Sequence, residues 1–112
     1  MTAAESPGDR LLVVLATLAS QHRMRVLAAL TAQRRQYVSE LARELGISRA
    51  LLQVHLRKLE KAGLVSSSLE LSADGKAMKF YEVVPFDLRL TPQVVADAAG
   101  TLSPPAKGTQ DV

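Results

Sequence analysis

The chain of 112 residues carries 14 Lys and Arg against 11 Asp and Glu, a formal net charge of +3, and has no cysteine. That length suits one compact domain with modest tails, and the missing cysteines exclude a disulfide framework, a thiol nucleophile and any thiolate metal site, as expected of a cytoplasmic protein. The longest apolar run, Leu11 to Ala19, is too short to span a bilayer and lacks the flanks of a secretory signal, so no membrane role is expected.

Residues 1–8 read as a flexible arm that ends in a helix start, because Ser6-Pro7-Gly8-Asp9 offers an N-cap, a proline at the first helical position and an acid just behind it. The helix predicted from there, about Asp9 to Ala19, is apolar nearly all round, with Leu11, Leu12, Val13, Val14, Leu15 and Leu18. A helix without a polar face is buried on more than one side. In so small a domain the expected cover for the second side is another chain. Ser20 caps a second helix with Met24, Val26, Leu27 and Leu30 as its apolar stripe and the Gln33-Arg34-Arg35-Gln36 cluster exposed. Tyr37-Val38 reads as a short extended link.

Ser39 then caps a third helix that runs through Leu45, and Gly46 supplies the left-handed residue that ends it. Ser48 caps a fourth helix, closed in turn by Gly63. The turn Gly46-Ile47-Ser48 is short and glycine-containing, which is what a helix-turn-helix needs to set its second helix across the first. After Gly63 the period drops to two. Leu69 and Leu71 alternate with polar residues, Met78, Phe80, Tyr81 and Val83 form a second strand, and Ala73-Asp74-Gly75-Lys76 is the hairpin turn between them. Thr91-Pro92 starts a last helix, Pro92 to Ala99, ending at Gly100. The globular domain is expected over residues 9–100, and residues 101–112 are too poor in apolar side chains to order.

At about 100° per residue, Leu52, His55, Leu56, Leu59 and Ala62 share one arc of the fourth helix, with Leu51 at its edge. Arg49, Gln53, Arg57 and Glu60 lie opposite, with Ala50, Val54 and Lys61 alongside. Gln pairs bidentately with adenine and a valine methyl meets a thymine methyl, so this face suits a DNA groove. Arg49, next to the cap Ser48, reaches a base edge or a phosphate at the helix N-terminus. Charge agrees: from Ser20 to Ala62 nine basic residues meet only Glu40, Glu44 and Glu60, whereas from Phe80 onward the balance turns acidic. Lys76 and Lys79 at the hairpin, with Arg34 and Arg35, are placed to neutralise phosphates. The order helix, helix, helix-turn-helix, hairpin, helix describes a mainly α fold with a small β-hairpin wing.

On two stretches, "LASQHRMRVLAAL" and "VSELARELGISRALLQVHLRKLEKAGLV", the chain resembles the ArsR/SmtB family of winged-helix transcriptional regulators. The likeness covers about Leu18 to Val83 and includes the Ser before the recognition helix, the His55-Leu56 pair and the Ala-Gly-Leu-Val exit. It implies a homodimer built from the first and last helices, through Leu11, Leu12, Val14, Leu15, Leu18, Val94 and Val95. That dimer would bind a partly palindromic operator in double-stranded DNA, one recognition helix per half-site. The chain departs from the family where many metal-sensing members carry a Cys-x-Cys pair, since Tyr37-Val38-Ser39 supplies no thiolate, and the helix Pro92 to Ala99 offers only Asp97 to the His and acidic sites of others. No cofactor is therefore expected. A remaining metal candidate is His22, joined by Asp9 or Glu5 across a dimer to hold Ni²⁺ or Zn²⁺; His55 reads as a packed helix residue.

Enzymatic readings find no support. Ser66-Ser67-Ser68 has no adjacent His, no glycine-rich phosphate loop is present, and no carboxylate pair sits at a spacing that suggests acid–base work. The competing readings are a winged-helix module that binds protein, or a regulator answering to nickel or zinc through a non-cysteine site or to an unknown effector or partner protein.

Overall fold

A computed structural model describes residues 5–105. Five helices, α1 (Pro7–Leu18), α2 (Gln21–Ala32), α3 (Val38–Leu45), α4 (Arg49–Lys61) and α5 (Pro92–Ala99), are joined by three strands, β1 (Gln36–Tyr37), β2 (Val65–Leu71) and β3 (Ala77–Val83). The predicted order holds, with one added strand. β1 pairs antiparallel with β3, giving a three-stranded sheet in the order β1-β3-β2. The hairpin runs in register from Val65 opposite Val83 to Leu71 opposite Ala77.

The core is aliphatic. Val26, Leu30, Leu41, Leu52, Leu56, Leu59 and Leu64 from α2, α3, α4 and the start of the hairpin are almost completely withdrawn from solvent. Each such burial contributes about 1.5–3 kcal/mol toward folding before entropy is counted. Tyr81 closes the sheet side of this core, and Val13, Leu18, Leu45, Ile47 and Val83 pack around it half-buried.

Several boundaries move. α1 begins at Pro7, with Ser6 Oγ accepting from the Asp9 backbone N–H at 3.1 Å, so Pro7 and Gly8 of the expected arm are helical. Gly8 is buried where α1 crosses the end of α5: a Cβ there would lie 2.1 Å from the Ala98 carbonyl oxygen. Its N–H donates to Thr101 Oγ1 at 2.7 Å, and Ser103 N–H donates to Asp9 at 2.9 Å. Thr101 and Ser103, in the expected 101–112 tail, are thus tied to α1, and residues 106–112 of that tail lie outside the described residues.

α3 starts at Val38 rather than after Ser39, and its N-cap, Tyr37, makes no side-chain cap bond. Pairing of Tyr37 with Phe80 and burial of Val38 fix that start better than a hydroxyl cap one residue later. Gln36, expected in an exposed cluster, is 2 % exposed, and its amide donates to the Ala29 carbonyl at 3.2 Å. Strand pairing pulls it inward, and the amide then needs a partner. Met24 goes the other way, leaving the predicted stripe for solvent.

Candidate nucleic-acid interface

α3 and α4 meet across Gly46, whose φ of +68° is the left-handed conformation the turn requires. Gly46 and Ile47 N–H groups return to the Arg43 and Ala42 carbonyls at 3.2 Å, and half-buried Ile47 anchors the turn to the core. Ser48 Oγ accepts from the Leu51 N–H at 3.0 Å, so this hydroxyl starts α4 and is committed to the cap. Leu52, Leu56 and Leu59 hold α4 down, while Arg49, Ala50, Gln53, Val54 and Arg57 stand exposed on its outer side.

The wing approaches that exposed side. Ser67 pairs with Tyr81, Leu69 with Lys79 and Leu71 with Ala77, so these side chains share one face of the hairpin. A groove of about 290 Å³ has Arg49, Gln53 and Arg57 on its helix wall and Leu69, Ala77, Lys79 and Tyr81 on its wing wall. The Lys79 ammonium lies 5.5 Å from the centre of the Tyr81 ring. Glu60 is tied to the wing by the Ser67 hydroxyl at 2.8 Å. Among the described residues the one ion pair is Arg35 with Glu70, so Arg49, Arg57 and Lys79 present uncompensated positive charge around the groove. Lys76 stands outside it in the hairpin turn, which Asp74 and Ser72 brace by hydrogen bonds. The Ser72 hydroxyl first, and the backbone N–H groups of Asp74 and Lys76 after it, hold the Asp74 carboxyl below its ordinary range.

Arg35, expected to neutralise phosphates, has an acidic partner within the chain. It pairs with Glu70 and lies 4.2 Å from the centre of the Phe80 ring, on the opposite face of the hairpin. The period-two pattern placed Leu69 on a strand but gave no hint that it lines the groove, because both faces of this wing are solvent-facing. Leu69 and Leu71 are 68 % and 76 % exposed, so their alternation reports no core.

His22 and His55 stack at 5.2 Å between ring centroids, tilted by 35°. Arg23 Nη1 lies 3.2 Å from His55 Nδ1. Arginine has only donors, so this contact needs Nδ1 of His55 unprotonated, and burial, then the charges of Arg23, His22 and Lys58, push the His55 pKa down in the same sense. Asp9, expected beside His22 across a dimer, accepts within its own chain from the hydroxyl and backbone N–H of Ser103, which lower its pKa. Among the described residues no three His, Cys, Asp or Glu side chains converge as metal ligands.

On the far side, α5 lies against α1 and has no buried residue of its own. Leu11, Leu12, Leu15 and Val95 line a crevice between these helices, so part of the apolar surface of α1 is covered within the chain rather than by a second one. Val14 is a correction to the expected dimer set: at 4 % exposure it belongs to the core. Leu18 packs half-buried against that core, Val94 is half-buried, and Leu12 and Val95 remain exposed. No single described helix is long and apolar enough to cross a membrane.

Residues 18–67 match the helix-turn-helix domain family. An uncharacterised HTH-type transcriptional regulator of Methanocaldococcus jannaschii is 35% identical over 78 residues, which span 70% of this chain and 80% of that protein. The reduced form of HlyU from Vibrio cholerae superposes with a TM-score of 0.58 at 26% identity, over 80% of this chain and 82% of that one. NolR from Sinorhizobium fredii shares the fold at a TM-score of 0.58 and 21% identity, over 89% and 92% of the two chains. With a helix-turn-helix whose outer face is cationic and a hairpin wing beside it, the chain belongs to the HTH-type transcriptional regulators, DNA-binding proteins of the winged helix-turn-helix kind.

Proposed function

We propose that this protein is an ArsR-like, cytoplasmic homodimer that controls transcription by occupying a partly palindromic operator. The observation that carries this reading is the groove beside α4, where Arg49, Gln53 and Arg57 face Lys79 across a space without an opposing ion pair. In it, α4 enters the major groove: Gln53 and Val54 read bases, and Arg49 and Arg57 contact bases or flanking phosphates. Ala50 allows close approach of the helix, Ser48 orients its N-terminus, and Lys76 and Lys79 carry the wing onto the backbone. The second copy docks on the apolar surface left by α1 and α5, through Leu11, Leu12, Leu15, Leu18, Val94 and Val95. Leu12 at 58 % and Val95 at 48 % exposure are its most open elements.

The test is a gel shift on genomic fragments at low salt, followed by titration on a selected operator. Gln53→Ala is expected to cost about 1–3 kcal/mol on that operator and to relax preference at one base pair, and Lys76→Ala to weaken binding to all sequences and flatten the salt slope by about one unit. No shift by the parent protein would favour a protein-binding module, and a monomer at micromolar concentration in sedimentation would overturn the dimer.

A further inference from the structure

A hollow of about 690 Å³ opens between α1, α2 and the last turns of α4, and it shares no lining residue with the groove beside the wing. Arg23 from α2 and Lys58 and Lys61 from α4 converge on it, and Glu5 is the single acid in its wall. Arg23 is preset. Its Nε donates to the Thr17 carbonyl and its Nη1 to the neutral ring of His55. Both acceptors are uncharged, so the guanidinium is oriented without being neutralised. Lys58 and Lys61 are three residues apart, hence on one side of α4, and among the described residues neither they nor Arg23 has an acidic partner within ion-pair distance. The negative end of the α4 dipole accounts for two lysines in its last turn, but not for an arginine that arrives from another helix.

Three converging cations repel one another unless an anion sits among them, and buried Ala62 with half-buried Val13 on one wall withdraws part of the screening water and strengthens both effects. We propose that this hollow binds a phosphoryl oxyanion. Arg23 takes it through the guanidinium edge left free, and Lys58 and Lys61 act as mobile point charges. With one cation on α2 and two on α4, the bound anion braces the recognition helix against its neighbour. A phosphate of flanking DNA and a free phosphorylated small molecule offer the same chemistry.

The test titrates inorganic phosphate into the full chain without DNA, at constant ionic strength against chloride, following backbone amides by NMR. Saturable shifts confined to Thr17, Arg23, Lys58 and Lys61 are expected. The double variant Lys58→Gln/Lys61→Gln, at exposed positions that leave the core intact, should weaken them about tenfold, the loss of roughly one charge-assisted contact. Arg23→Gln should abolish them. Non-saturable shifts, shifts spread equally to Arg49 and Arg57, or an unchanged affinity in the double variant would overturn the site. The same double variant on DNA identifies the source. A salt slope lowered by about one to two units assigns the oxyanion to the DNA backbone, and an unchanged slope with the phosphate response intact in the parent assigns it to a small molecule. Failure of the parent to bind DNA would sink the operator reading and leave the phosphate titration standing.

Discussion

The α2–α4 centre and the α1–α5 edge draw on the same residue types and end in opposite states. Leu52, Leu56 and Leu59 of α4 are fully withdrawn from water, whereas α5, richer in apolar residues than α4, has no buried residue at all. The difference lies in neighbours rather than composition. α4 is packed between α2, α3 and β2, while α5 rests mainly on α1. Apolar content therefore states what a helix can bury, and topology decides whether it does. An edge that leaves Leu12, Val95 and Leu102 exposed has capacity for a partner, which is why the proposed second copy is placed there.

The widest gap between the two regions should appear on truncation. Leu56→Ala is expected to cost about 2–5 kcal/mol, because the rigid surroundings of a fully buried leucine relax only partly around the cavity. Val95→Ala in dilute protein should cost no more than about 0.5 kcal/mol, as surface changes do. Chemical denaturation of both variants at low and high protein concentration makes the comparison. A Val95→Ala cost that approached the Leu56→Ala value would break the contrast and place α5 in the cooperative core.

A smaller effect probes the seam joining the regions. Gly8 lets α1 approach the end of α5 so closely that an added Cβ would meet the Ala98 carbonyl at 2.1 Å. Gly8→Ala should therefore push the helices apart at a cost of about 1–3 kcal/mol, the usual range for overpacking. Hydrogen exchange should show α5 amides loosened while those of α4 keep their protection. Equal loosening of both would mean that the seam carries the whole fold.

These two regions were also unequally legible from sequence. α4 announced itself through a cap at Ser48, a glycine exit at Gly63 and an unbroken apolar arc, each an independent local signal. The position of its outer face followed from period alone. What could not be read was how neighbours divide a surface. Nothing local distinguished Val14, taken into the core, from Leu12 two residues earlier, because α1 is apolar on every side. Gln36 was invisible as a strand residue since two-residue β1 exists only by pairing with β3, more than forty positions away in the chain. Arg35 looked like a free cation until the hairpin brought Glu70 and Phe80 to it. The groove suffered least from this limit. Arg49, Gln53 and Arg57 lie on one helix, so only the identity of the facing wing residues awaited the fold.

The finest distinction between centre and edge is the pH at which each weakens. His55 belongs to the boundary of the centre: His22 and Arg23 face it from α2, and Lys58 stands beside it on α4. Burial first, and these charges second, hold its folded pKa below the ordinary histidine value of about 6.5. The unfolded chain thus binds the proton more readily than the folded one, and stability is full above about pH 6.5 and is lost as pH falls toward the folded pKa. At the edge, the bonds from Ser103 depress Asp9 below the usual carboxylate range. Its contribution persists through that window and disappears only when acid protonates the carboxylate. Mild acidification should accordingly raise exchange in α4 and α2 before α1 detaches from Ser103. His55→Gln, whose side-chain oxygen can still accept from Arg23, should flatten the stability profile below about pH 6.5 while leaving the more acidic transition of Asp9 in place. An unchanged profile in that variant would remove His55 as the titrating group, and simultaneous loosening of both regions would show that their pH responses are not separable.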